Sequence, residues 1–182
     1  MPVYHSRFND CQEMIGNMAL LPIKTTFKGP AMKLDINSDE VDIIDEALLY
    51  FKPNIFFREF EIKGSGDRTL IYLILYISEC LRKILKCTDR IQAQKDLNML
   101  SLNQKIPIPG DTDFPLNGMY KAPSTKLESE NMRMYLQQLR QEISQRLLEK
   151  VYSNNGAALK WWLCFSKKRF LEKSLIRPGV VF

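Results

Sequence analysis

The chain has 182 residues, 45% of them apolar, and a formal net charge of +5. That length allows a single domain with a core that needs no staples, and its longest apolar run falls far short of the roughly 20 residues required to cross a bilayer. The opening MPVYHSRFND lacks a basic region followed by an apolar one, and the C-terminus carries no prenylation motif, so a soluble intracellular protein is expected.

Charge is unevenly placed. Residues 1–120 hold 14 Lys and Arg against 16 Asp and Glu, whereas residues 121–182 hold 12 against 5. The C-terminal third is therefore a basic end suited to an acidic partner: nucleic acid, a membrane surface or an acidic protein. Cys11, Cys80, Cys87 and Cys164 form no C-x-x-C pair. Cys80 and Cys87 stand two helical turns apart, about 10 Å, too far for a disulfide. With His5 the only histidine, neither a metal site nor any other cofactor site is expected.

Residues 1–36 show no sustained period but are too apolar for a free tail. An extended arm pinned over the core is expected, with a short helical turn near Asp10–Ile15 and His5 as a hydrogen-bonding surface group. Asn37 and Glu40 read as a capping box for a helix whose apolar face is Val41, Ile44, Ala47, Leu48 and Phe51. Asp39, Glu40, Asp42, Asp45 and Glu46 then make a solvated acidic face near its positive end. Pro53 reads as the first residue of a second helix carrying Ile55, Phe56, Phe57 and Phe60.

The stretch Asp67–Cys87 organises the rest. Leu70–Ile77 is an unbroken apolar run, and Leu81, Ile84 and Leu85 continue it at helical spacing. Ile71, Tyr72, Leu75 and Tyr76 cover the opposite side of the first half only. The pattern predicts a helix over about 67–87, capped by Asp67, surrounded by others at its start and emerging towards its end. A short helix over Asp89–Leu102 follows. The Pro-rich segment 105–123 is a structured loop anchored by Ile106, Ile108, Phe114, Leu116, Met119 and Tyr120.

Thr125 and Glu128 form a capping box for a long helix to about Ser153, with Met132, Leu136, Leu139, Ile143 and Leu147 inward. Gln137, Gln138, Arg140, Gln141, Glu142 and Gln145 opposite them read as a solvated or protein-contacting face. Asn154-Asn155-Gly156 reads as its stop. A last helix over about Ala157–Leu175 places Leu159, Trp162, Leu163 and Phe170 inward. Trp161, Phe165 and Lys168 lie off that stripe, flanked by Lys167 and Arg169. They are either an interface anchor or a pair covered by another part of the same chain. The fold class expected is all-α: a single-domain helical bundle over 1–182 around one central helix, with an extended N-terminal arm. Without a nucleophile and base, a metal cluster or a distinctive carboxylate pair, catalysis is not expected.

Several blocks identify a family. They are MPVYHS (1–6), IGNMALLPIKTTFKGP (15–30), IIDEAL (43–48), FEIK (60–63), DRTLIYLILYISECL (67–81), IPG (108–110), DFPLN (113–117), YLQQLRQE (135–142), KWW (160–162) and RFLEKSL (169–175). In this order they resemble the small subunit, subunit 3, of the actin-related protein 2/3 complex, over nearly the whole chain. Pro53, Arg90–Gln104, the missing proline before Lys160 and the tail Ile176–Phe182 depart from it.

The resemblance implies an all-helical, non-catalytic member of an assembly that nucleates branched actin filaments. Nucleotide binding would rest with the two actin-related subunits, and this subunit would dock on the larger one and on other subunits. It would meet the actin filament indirectly, in the cytoplasmic actin cytoskeleton. The rival reading is a nucleic-acid-binding helical module using the basic last helix, which would require base-stacking aromatics and a steep salt dependence.

Overall fold

The computed structural model describes residues 2–153 and 156–180. Four two-residue strands come first: β1 (Met14–Ile15), β2 (Met18–Ala19), β3 (Ile23–Lys24) and β4 (Lys33–Leu34). Five helices follow: α1 (Ile43–Asn54), α2 (Ser65–Ile84), α3 (Arg90–Leu102), α4 (Lys126–Val151) and α5 (Lys160–Leu163). Two 3-10 turns, Cys164–Lys167 and Phe170–Glu172, end the described elements.

The central helix expected over about 67–87 runs from Ser65 to Ile84. Every residue from Leu70 to Ile77 is at most 1% exposed. Helices α1, α3, α4 and α5, strand β2 and the first 3-10 turn all pack around α2. Its second half opens to solvent as Arg82 and Lys83 become half-buried and Leu85, past the helix end, is exposed.

The all-α expectation does not hold: the molecule is a mixed α/β structure, because the N-terminal arm forms two small sheets. β1 and β2 pair antiparallel, Met14 opposite Ala19. Gly16 sits between them at φ +59°, a left-handed conformation that favours glycine. β3 and β4 pair in parallel. With no helical period, the arm's buried backbone groups find partners sideways instead of within a helix. The helical turn expected near Asp10–Ile15 is absent for the same reason.

The arm also supplies what α2 lacks. Gly64 gives the helix no side-chain cap; instead Asn9 Oδ1 accepts the Asp67 N–H at 2.7 Å. Asp67 is thus not the cap but a first-turn residue that anchors the arm. Its carboxylate accepts the Ser6 N–H (2.8 Å) and Lys63 N–H (3.0 Å) and pairs with His5 Nδ1 at 2.7 Å. A Cβ on Gly66 would stand 2.6 Å from the Phe8 carbonyl carbon, so only glycine lets the arm cross here. Further along, Thr69 Oγ1 and the Tyr135 hydroxyl both donate to the Ala19 carbonyl, each at 2.9 Å.

The acidic face expected on α1 is largely internal. Asp42, not Asn37, is the N-cap, in a reciprocal box with Asp45. Buried Glu46 accepts the Ser6 hydroxyl (2.7 Å) and the Arg7 N–H (2.8 Å). Burial pushes its carboxyl above the usual range against those hydrogen bonds. Arg146 holds Asp42 at 2.8 Å, Asp45 at 3.0 Å and Glu142 at 2.8 Å.

The polar side of α4 departs in the same way, since Gln138, Arg140 and Glu142 are buried. Gln138 accepts the Ala31 N–H and donates to the Phe27 carbonyl. Arg140 donates to the Ser101 carbonyl and the Tyr72 hydroxyl. Glu142 accepts the Thr25 hydroxyl. The arm and the α3–α4 connection cover a face that hydrophobic periodicity leaves to solvent.

Pro53 closes α1 instead of opening a second helix. The carbonyl it leaves unserved belongs to Leu49, an exposed residue within reach of water. The Pro-rich loop has no regular element; Ile106, Ile108, Phe114, Leu116 and Tyr120 are buried, and the Tyr120 hydroxyl donates to the Arg68 carbonyl at 2.6 Å. α4 ends at Val151; the expected Asn154-Asn155 stop and the end of the tail, Val181-Phe182, lie outside the described residues.

The expected last helix is broken into α5 and two 3-10 turns. Leu171 and Glu172 take φ +54° and +57°, left-handed values that strain a side chain. The break lets the Leu171 N–H donate to the Phe57 carbonyl at 2.9 Å and buries Phe170, Leu171 and Leu175 together.

Two expectations follow. Ile74→Ala should lower unfolding free energy by about 2–5 kcal/mol; an unchanged denaturation midpoint would place α2 outside the core. Glu128 accepts the N–H groups of Ser124 (2.6 Å) and Gly16 (2.9 Å), and these bonds, Ser124 first, hold its carboxyl at about 2 against an ordinary 4.5. A lowered acid stabilises the fold above its unfolded value, and that contribution fades as pH falls towards 2. Glu128→Gln should therefore be less stable than the parent at neutral pH, the gap closing between pH 4.5 and about 2. A gap independent of pH would refute the clasp.

Candidate docking surface

The off-stripe residues of the C-terminal segment separate into two places. Trp161 is 63% exposed, while Phe165 is half-buried. Phe165 meets Phe51 edge-on at 6.1 Å and Phe56 at 5.8 Å between ring centroids. Beneath them Phe51 stacks on buried Trp162 at 6.1 Å. Part of the pair is thus covered by this chain's own α1, and Trp161 is the part that remains open.

Lys52 of α1 reaches into this cluster. Its ammonium stands 4.2 Å from the Trp162 ring centroid, 5.1 Å from Trp161 and 6.0 Å from Phe165. The aromatic faces offer it negative quadrupole in place of water. Partial burial lowers its pKa below the usual lysine value. Lys168 lies over Phe56 at 5.6 Å.

Leu49 and Lys52 stand three residues apart on α1, and Phe56 follows in the turn just past its end. Leu49 is 65% and Phe56 56% exposed. Exposed apolar carbon at Leu49, Phe56 and Trp161 therefore alternates with the ammonium groups of Lys52 and Lys168. Leu49, Lys52 and Phe56 are absent from the face expected from sequence. Their signal was Leu49, an apolar residue off its own helix's buried stripe.

Lys167 is exposed, and Arg169 turns away to line a separate cavity beside the end of α2. Among the described residues, no group of three or more His, Cys, Asp or Glu could hold a metal ion, and no helix is long and apolar enough to cross a membrane. The four cysteines are free thiols; burial pushes Cys80 up to about 12, away from reactivity.

This geometry separates support from display. Trp161→Ala should change stability by no more than about 0.5 kcal/mol, as for an exposed side chain. Phe165→Ala should cost about 1–3 kcal/mol, part of the value for a buried ring. Equal losses in urea denaturation would show that both rings are core.

The chain is similar to a set of curated proteins over nearly its full length. Residues 1–175 match the family model described as P21-Arc: ARP2/3 complex ARPC3 (21 kDa) subunit. A Caenorhabditis elegans relative named probable actin-related protein 2/3 complex subunit 3 is 54% identical, covering 99% of each chain. Relatives named actin-related protein 2/3 complex subunit 3 are 50% identical in Dictyostelium discoideum, over 95% of this chain and 99% of theirs, and 43% identical in Saccharomyces cerevisiae, over 96% and 100%. With the family's model matched from the first residue to Leu175, this chain belongs to the ARP2/3 complex ARPC3 (21 kDa) subunit family.

Proposed function

We propose that this chain is a structural, non-catalytic subunit of the actin-related protein 2/3 complex. It supports nucleation of branched actin filaments in the cytoplasmic actin cytoskeleton by holding other subunits, the larger actin-related subunit chief among them. The observation that carries this reading is the family match over residues 1–175. The face of Trp161, Phe165, Lys167 and Lys168, extended by Leu49, Lys52 and Phe56, is the surface proposed to grip a neighbour. Exposed aromatic carbon is what interface centres concentrate, and the lysines beside it would form a positive rim suited to an acidic partner such as an actin-related protein.

The nucleic-acid reading rested on a basic last helix, and that helix is broken into α5 and two 3-10 turns. Arg140 and Arg146 are spent inside the fold, and Arg133 and Arg177 pair with Asp111 and Asp113. The basic third of the sequence therefore displays less free charge than its composition suggests.

Affinity purification of a tagged chain from cells tests the proposal. Trp161→Ala combined with Lys168→Glu should reduce co-purification of the other complex subunits at least about tenfold, the scale of one interface hot spot, with circular dichroism unchanged. Full recovery of the complex with that variant would overturn the assignment of this face.

A further inference from the structure

A second feature lies on the other side of the C-terminal segment. A cavity of about 250 Å³ opens between the end of α2 and residues 174–180, with Leu100 of α3 on its wall. Five cations line it: Arg82, Lys83 and Lys86 from α2, and Arg169 and Arg177 from the C-terminal segment. The single carboxylate is Glu79, which is already engaged by Arg82 Nη1 at 2.7 Å and by the Ile176 N–H at 3.3 Å.

That pairing builds the cavity. Glu79 draws the backbone at Ile176 against α2 and so sets the C-terminal segment as a wall. Arg82 is held at both ends of its guanidinium, by Glu79 and by the Lys168 carbonyl at 3.3 Å. Arg177 is oriented by Asp113 at 2.9 Å. Among the described residues no carboxylate lies within 4.0 Å of Lys83, Lys86 or Arg169.

Lysines commonly close a helix's negative end. Here the last carbonyls are already served: those of Leu81, Lys83 and Ile84 accept the N–H groups of Leu85, Lys86 and Cys87. A helix end also offers only about half a unit of negative charge, which leaves most of the positive charge uncompensated.

We infer that this cavity is a binding site for a compact polyphosphate ester, an inositol polyphosphate or the headgroup of a phosphoinositide. The Arg169 guanidinium and the Lys83 and Lys86 ammonium groups, brought to the cavity from two segments of the chain, match several phosphates on one small ring. The volume lies just below the roughly 300–1,000 Å³ of pockets for drug-sized ligands, large enough for a phosphorylated ring and too small for a docked helix. The side chains that line the cavity are distinct from those of the face around Trp161.

Calorimetric titration of the full chain with inositol hexakisphosphate at physiological ionic strength should give saturable one-to-one binding. Lys83→Gln with Lys86→Gln should weaken it at least about tenfold, the scale of a lost charge-assisted contact. The exposed control pair Lys126→Gln with Lys150→Gln should leave it unchanged. Co-sedimentation with phosphatidylcholine vesicles containing phosphatidylinositol bisphosphate identifies the source. Binding lost in the Lys83–Lys86 variant assigns a lipid headgroup, and soluble binding without vesicle binding assigns a free polyphosphate. Absence of saturable binding, equal loss in both lysine pairs, or tighter binding of polyglutamate than of the phosphate ester would overturn the site.

Discussion

The structure depends on one constraint: eight consecutive apolar residues in α2 must be covered on every side. Three long helices pack on α2, and the N-terminal arm also lies against it, β2 among its contacts. The arm is not simply greasy. It is fastened by buried polar groups of α1, α2 and α4, Asp67 and Glu46 around Ser6 and Tyr135 on the carbonyl of Ala19, and by its own Asn9, which accepts an N–H of the first turn of α2. Each of these buried carboxylates would be costly alone, and the arm supplies both hydrogen bonds of Glu46 and all but the Lys63 N–H of those on Asp67. Apolar burial and polar pairing are thus achieved by the same closure.

This arrangement explains what could be read from the residues and what could not. Hydrophobic periodicity located α2 and the inward stripe of α4, because an apolar stripe marks burial directly, and the Thr125-x-x-Glu128 spacing located the cap. Periodicity left Asp42 and Glu46 to solvent, and Gln138, Arg140 and Glu142 to solvent or a protein contact, because a polar stripe looks the same whether water, a partner or the chain's own loop covers it. The two small sheets escaped because two-residue strands carry no period. The last helix was overextended because Trp162, Phe170 and Leu175 are buried from a kinked segment whose spacing imitates a helix. On the candidate face, the off-stripe position of Trp161 was legible, whereas its α1 neighbours required the tertiary fold to be brought beside it.

The internal polar layer also bears on function. A sequence with a basic C-terminal third suggests a polyanion partner, yet the arginines of α4 are spent on Asp42, Asp45, Glu142, Asp111 and the Ser101 carbonyl. Surface charge concentrates instead on the lysines around the aromatic face and on the rim of α2's last turns. The molecule combines a densely buried interior with displayed patches supported from beneath.

Amide hydrogen exchange on the full chain tests this closure most directly. The amides of Leu70–Ile77 should exchange most slowly in the molecule, and Asn9→Ala should hasten exchange in the arm and the first turn of α2 together. Rapid exchange across Leu70–Ile77 in the folded parent chain would contradict a central helix enclosed by its own sequence.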